Sequence, residues 1–161
     1  MTERMTELPP WERLPDFGLY LDQVMNLTTQ AFSAEPAVAP LTAGMINSYV
    51  KSGLVDRPEK KKYSRAALAQ LLMISFLKQT SSMESLRTLL HPADGMDTEA
   101  VYGRFRSGVS EVRAFLDAHP ELSQLDCALA AAVCQTACMN RLAQSGAAAA
   151  QREEAIQHGQ A

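Results

Sequence analysis

The sequence predicts an all-α protein with a small β-wing, on three observations. Apolar residues recur at helical spacing in six segments of the chain. Proline and glycine clusters separate those segments. One short basic stretch between the second and third segments, residues 56–62, is flanked by extended candidates instead of helical ones.

The first predicted helix begins after Asp16, which is a candidate N-cap. The stretch 33–40, SAEPAVAP, ends it with two prolines. Its apolar stripe consists of Phe17, Leu19, Tyr20, Val24, Leu27 and Phe32. Trp11 and Phe17 near the start are interpreted as packing anchors.

The second predicted helix runs from Thr42, as N-cap, to Ser52 and Gly53. Gly53 stands where a helix ends in a left-handed residue. Ile46, Tyr49 and Val50 share the inner face. The residues that point elsewhere are Asn47, Ser48 and Lys51.

The predicted wing follows. Leu54 and Val55 on one side, and the residues around Tyr63 on the other, are extended candidates that flank residues 56–62. Pro58 is acceptable at the tip or edge of such a ribbon. Ser64 then caps a third helix that is apolar nearly all round, which predicts the central core helix.

Three further helices are predicted. Ser81 has the capping-box spacing to Glu84 and opens a short helix through Leu90. Asp97 or Thr98 caps a helix toward His119, and an alanine-rich helix covers 121–150. The chain therefore divides into a flexible N-terminus (1–13), a winged domain (14–92), a helical region (93–150) and a frayed tail (151–161).

Charge is segregated along the chain. The net charge is −3, yet residues 42–90 carry eight cations and three anions, so this segment is +5 and the rest is −8. A basic island in an acidic chain indicates an anionic partner for the island. Two successive helices followed by a basic ribbon and a core helix are typical of a winged helix-turn-helix, in which the second helix contacts DNA.

The stretches MINSYVKSGLVD, KKKYSRAALAQLLMI and SMESLRTLL resemble the DNA-binding domain of MerR-type transcription regulators. In that family a T-L-R-Y-Y-E-x-x-G-L helix precedes a wing that ends in R-x-Y. The chain is more closely similar to a family of uncharacterised bacterial proteins, through LYLDQVMN, MINSYVKSG, KKKYSRAALAQLL and FLKQ. The resemblance covers 14–90.

The resemblance implies roles for single residues. Thr42 matches an N-cap that also touches a phosphate, Lys61 matches the wing arginine, and Tyr63 matches the residue that anchors the wing. Asn47 stands where the family has an arginine, so the guanine contact is lost, although asparagine can pair with adenine. The break at 33–41 is longer than the family's turn.

These considerations predict a bacterial transcription regulator that contacts double-stranded DNA with the 42–52 helix and the 57–65 wing. The predicted DNA-binding residues are Thr42, Asn47, Ser48, Lys51, Arg57, Lys60, Lys61, Lys62 and Arg65. The predicted structural frame consists of Ile46, Tyr49, Gly53, Leu54, Tyr63, Leu68, Leu71 and Leu72. The alternative is a protein-interaction module that uses the same fold without binding DNA.

Other functional classes are less favoured. Cys127, Cys134 and Cys138 lie on one side of a helix and could bind a soft metal, but small buried thiols in an apolar run are the favoured interpretation, so no metal site is predicted. No nucleotide-binding or hydrolase motif occurs, so no enzymatic activity and no cofactor are predicted. The chain lacks a secretory leader pattern and a membrane-length apolar run, which predicts a cytoplasmic protein away from membranes. The alanine-rich last helix favours a homodimer through the C-terminal helices.

Overall fold

The computed structural model describes the backbone of residues 7–92 and 94–158; in the last helix it describes the side chains of 124–138, 140, 141, 143, 144 and 156. Within this range the prediction of an all-α protein is confirmed. A 3-10 turn, Trp11–Arg13, precedes six helices. These are α1 (Leu21–Ala31), α2 (Ala43–Lys51), α3 (Arg65–Leu77), α4 (Met83–Leu90), α5 (Thr98–Ala118) and α6 (Gln124–His158).

The described residues contain isolated β-bridges but no β-sheet. Leu19 pairs with Tyr63, and Glu59 pairs with Lys62. The predicted role of Leu54 and Val55 as ribbon strands was wrong. Both are buried, and both donate their backbone N–H groups to the Tyr49 carbonyl, which closes the end of α2.

The predicted start of the first helix was also wrong. The N-cap of α1 is Tyr20, not Asp16. The Tyr20 N–H donates to the Gln23 side chain at 2.9 Å, which is one half of a capping box. The helix starts late because Leu19 is paired with Tyr63 through two backbone hydrogen bonds of 2.9 and 2.7 Å, and this long-range pairing overrides the helical periodicity.

The caps of α2 and α3 are where the sequence predicts them. Thr42 Oγ1 accepts from the Met45 N–H at 3.2 Å, and Ser64 Oγ accepts from the Ala67 N–H at 3.1 Å. The α4 cap is shifted by one residue: Ser82, not Ser81, accepts from the Ser85 N–H.

Helix α3 is the centre of the core. Every residue from Ala67 to Ser75 is buried, and α1 and α4 pack against it. The polar side chain of Gln70 lies inside this core, and both the oxygen and the nitrogen of its amide are hydrogen-bonded. Gln70 Oε1 accepts from the Asp56 N–H at 2.8 Å, and Nε2 donates to Thr98 Oγ1 at 3.4 Å. Gln70 thereby fixes the beginning of the basic segment against α3 and α5.

The chain divides into two compact units, Met1–Val112 and Arg113–Ala161. In unit 1 (Met1–Val112), residues 7–13 are docked, although the sequence assigns them to a flexible N-terminus. Tyr102 Oη donates to the Pro9 carbonyl at 2.8 Å, and Arg106 Nε donates to the Leu8 carbonyl at 2.9 Å. We call these two bonds the terminal clasp. Burial raises the pKa of Tyr102 to about 12.

Unit 2 (Arg113–Ala161) contains the end of α5 and all of α6. Ser123 caps α6, since its hydroxyl accepts from the Asp126 N–H at 3.1 Å and donates to the Asp126 carboxylate at 2.7 Å. The bond from the Ser123 hydroxyl lowers the pKa of Asp126. Leu125, Leu129 and Val133 are exposed at four-residue spacing on α6. Within the described residues, no helix has the length and apolar character that spanning a membrane requires.

Candidate nucleic-acid interface

Helix α2 has a buried face and a polar exposed face. Ile46 and Tyr49 are buried in the core, and burial raises the pKa of Tyr49. Asn47, Ser48 and Lys51 are exposed on the other side of the helix. The exposed side therefore combines an amide, a hydroxyl and an ammonium group, all of which can hydrogen-bond to nucleic acid.

The C-terminal end of α2 is held by α4. Arg87 Nη2 donates to the Ser52 carbonyl at 2.7 Å, and His91 Nε2 lies 3.0 Å from the Leu54 carbonyl. Gly53 is left-handed, with φ at +73°. These contacts between α4 and the end of α2 were not predicted from the sequence. They could have been suspected because Arg87 and His91 are hydrogen-bond donors one helical turn apart, and a helix that ends in glycine leaves free carbonyl groups for such donors.

The basic segment forms a tight hairpin. Lys60 and Lys61 occupy its two central positions with φ of 46° and 66°, the sign pattern of a type I′ turn. Glu59 and Lys62 close the turn with backbone bonds of 3.0 and 2.8 Å. Both central lysines are exposed. The hairpin (Glu59–Lys62) therefore presents two adjacent ammonium groups at its tip.

The third lysine, Lys62, makes contacts with other residues of the same chain. Lys62 Nζ lies 5.4 Å from the centroid of the Tyr20 ring, at cation–π distance. Its side-chain stem passes so close to Gly18 that a Cβ added there would lie 2.7 Å from Lys62 Cβ. Tyr63 is buried next to it, and this burial raises its pKa. Lys62 thus fixes the hairpin to the segment before α1.

Arg65 is likewise occupied. Its Nη2 lies 3.5 Å from Asp16 Oδ2, and its guanidinium lies 5.7 Å from the centroid of the Trp11 ring. Trp11 packs on the core, as predicted for an anchor, with its ring 6.3 Å from that of Tyr102. The prediction for Phe17 was wrong: this residue is 64% exposed, and it lies in a bend before α1 instead of in the helix.

A cleft of about 740 Å³ joins the exposed face of α2 to the hairpin. Among its lining residues are Tyr20, Asp22, Asn47, Pro58, Lys61 and Tyr63. The structure thus brings the predicted base-contacting residue, Asn47, and a tip lysine, Lys61, onto one surface. Thr42 lies at the start of α2, and Arg57 is exposed before the hairpin.

The predicted frame residues and the cysteines have clear positions. Leu54, Leu68, Leu71 and Leu72 are buried in the same core as Ile46. Cys127 is half-buried, whereas Cys134 and Cys138 are exposed. In the described part of the chain, no group of three histidine, cysteine or carboxylate side chains is arranged to hold a metal ion.

Unit 1 is thus a small helical domain that displays a polar helix face beside a basic hairpin. A family described as a domain of unknown function (DUF1836) matches residues 9–105, and the chain belongs to this family. No curated protein and no solved structure matches the chain. Membership of an uncharacterised family is therefore confirmed, and the likeness to MerR-type regulators stays a prediction.

Proposed function

We propose that the chain binds duplex DNA and regulates transcription, with unit 1 acting as a winged helix-turn-helix. The observation that carries this proposal is the cleft shared by Asn47 and Lys61. Helix α2 would enter the major groove, and the hairpin would serve as the wing on the flanking backbone. The +5 charge of residues 42–90 supports an anionic partner for this surface.

The contacts divide into two kinds. Lys60, Lys61 and Arg57 would bind phosphates, which positions the protein without reading sequence. Asn47 would read the sequence through the N6 and N7 atoms of adenine, with Ser48 and Lys51 beside it. Thr42, at the N-terminus of α2, would place a hydroxyl and helix N–H groups near a phosphate.

Lys62 and Arg65 have a supporting role in this proposal. Each is engaged by an aromatic ring of the same unit, and Arg65 is also paired with Asp16. Their charge adds to the local positive potential, while Lys62 holds the hairpin to the segment before α1 and Arg65 holds the start of α3 to Trp11 and Asp16. That they also contact DNA directly stays a prediction.

The test is the binding of mixed-sequence duplex DNA, followed by fluorescence anisotropy across a salt series. Lys61→Glu should flatten the slope of log K against log salt by about 0.9 or more, since at least one phosphate contact is lost. Arg104→Glu is the matched control: Arg104 is also exposed, on α5, and the same charge reversal there should leave the slope nearly unchanged.

A second experiment distinguishes sequence-specific contacts to bases from non-specific contacts to phosphates. After selection of a preferred DNA site, Asn47→Ala should lower the discrimination at one adenine by about 1–3 kcal/mol while the salt slope stays constant. No binding at low salt, or equal effects of Lys61→Glu and Arg104→Glu, would refute the DNA proposal. The protein-interaction alternative would then be favoured.

We also propose that unit 2 mediates a homodimer. The supporting feature is the exposed apolar series Leu125, Leu129 and Val133 on α6. Regulators of this kind bind two half-sites as dimers, so a dimer would double the number of phosphate contacts. The corresponding test is given in the Discussion.

A further inference from the structure

A second cavity in unit 1 is unrelated to the hairpin surface. It has a volume of about 460 Å³ and lies between the C-terminal end of α1, the loop 32–41 and α3. Its apolar walls include Phe32, Val38 and Leu41, and its polar lining consists of Thr28, Thr29, Ser33, Glu35 and Ser75. Its volume is within the range of small-molecule sites.

The two buried hydroxyls of this cavity, those of Thr28 and Ser75, can accept hydrogen bonds but have no hydrogen left to donate. Thr28 Oγ1 gives its hydrogen to the carbonyls of Val24 and Met25, both at 3.0 Å. Ser75 Oγ gives its hydrogen to the Leu71 carbonyl at 2.8 Å. Each of these two hydroxyl oxygens therefore offers only lone pairs to a ligand.

Glu35 adds a carboxylate that the chain does not satisfy. Its Oε1 is shielded from water and has no hydrogen-bond partner among the described residues. None of the lysine, arginine and histidine residues in the described part of the chain lines the cavity. A carboxylate oxygen in such a position lacks the donor that buried polar groups normally have.

The end of helix α1 adds to the same negative field. Thr28, Thr29 and Phe32 of the cavity wall belong to its last turn and C-cap, where the helix dipole is negative. The last turn of α1 contains no basic residue to offset that dipole. Three independent features therefore favour a positive, hydrogen-donating group in this cavity.

We propose that this cavity binds a small organic ammonium ion, that is, a primary amine with an apolar substituent. The ammonium group would donate to the Glu35 carboxylate, whose two oxygens exchange by rotation about the last side-chain bond, and to the Ser75 and Thr28 hydroxyl oxygens. The apolar substituent would contact Phe32, Val38 and Leu41. This proposal does not depend on DNA binding.

Benzylammonium and its neutral counterpart benzyl alcohol test the proposal with the full chain. Binding is followed through the backbone amide NMR signals of Thr29, Ser33 and Glu35. Benzylammonium should bind at least about tenfold more tightly than benzyl alcohol, the size of one charge-assisted hydrogen bond. Glu35→Gln keeps the side-chain shape and should abolish this preference.

The controls address charge and folding. Glu99→Gln removes the same charge from an exposed position on α5 and should leave the preference intact. Glu35→Gln should unfold no more readily than the natural chain without ligand, because the carboxylate it replaces has an oxygen with no donor. The proposal is overturned if benzylammonium leaves the three amide signals unmoved at millimolar concentration, or if Glu35→Gln retains the tenfold preference.

Discussion

Replacing Gly18 with alanine tests whether the hairpin is seated on the segment before α1. The added Cβ would lie 2.7 Å from Lys62 Cβ and 3.0 Å from Lys62 Cδ, whereas ordinary contacts begin near 3.4 Å. One of the two backbones must therefore retreat by roughly 0.7 Å, since Lys62 Cβ is attached directly to the chain and cannot swing away. That displacement would disturb the Leu19–Tyr63 backbone pair.

We expect Gly18→Ala to lower the free energy of unfolding by about 1–3 kcal/mol, the usual effect of an added methyl group in a tight contact. Urea unfolding, followed through the fluorescence of Trp11, measures this value. Hydrogen exchange at the Tyr63 amide gives a local readout, because that amide donates to the Leu19 carbonyl at 2.7 Å. Its protection should fall in the variant.

Gly103 provides the matched control. A Cβ there meets nothing within 4 Å, and the residue lies on the exposed side of α5. Gly103→Ala should therefore raise the free energy of unfolding by about 0.5–1 kcal/mol, because alanine is the better helix former. If both variants change stability in the same direction, or Gly18→Ala leaves Tyr63 protection unchanged, the inferred seating of the hairpin is refuted.

Two further predictions concern the terminal clasp and the C-terminal helix. Tyr102→Phe should cost about 1 kcal/mol at neutral pH, through the lost bond to the Pro9 carbonyl. The folded-state pKa of Tyr102, about 12, exceeds the ordinary value of 10.0. The contribution of Tyr102 to the free energy of unfolding is therefore complete below pH 10 and is lost as the pH rises through 12. Urea titrations at neutral and alkaline pH should show a smaller alkaline loss of stability for Tyr102→Phe than for the natural chain, and an identical loss would contradict the assignment. Leu129→Arg should shift the chain from dimer to monomer in sedimentation experiments. The control Lys78→Arg, in unit 1, should leave the dimer intact. A natural chain that is already monomeric would rule out the proposed dimer.

Sequence reasoning succeeded where structure is set by neighbouring residues. The caps at Thr42 and Ser64 were predictable because each hydroxyl bonds to an N–H group three residues along the chain. The exposed positions of Asn47 and Lys51 followed from helical periodicity, because Ile46 and Tyr49 identify the buried face.

It failed where a distant segment decides the conformation. Nothing near Leu19 indicates that it pairs with Tyr63, so the first helix was predicted to begin too early. For the same reason, the sequence could not reveal that Lys62 and Arg65 are held by Tyr20 and Asp16. A run of basic residues gives the charge of a surface, but tertiary contacts decide which of those charges remain available to a partner.

The terminal clasp has a consequence for how the chain folds. Its bonds join Leu8 to Arg106 and Pro9 to Tyr102, so they close a loop that contains nearly all of unit 1. Contacts of such large sequence separation form late, because the entropy of loop closure must be overcome first. During synthesis on a ribosome, the N-terminal segment would therefore be unable to form these bonds before α5 emerges. Unit 1 would complete its folding only after translation has passed Arg106.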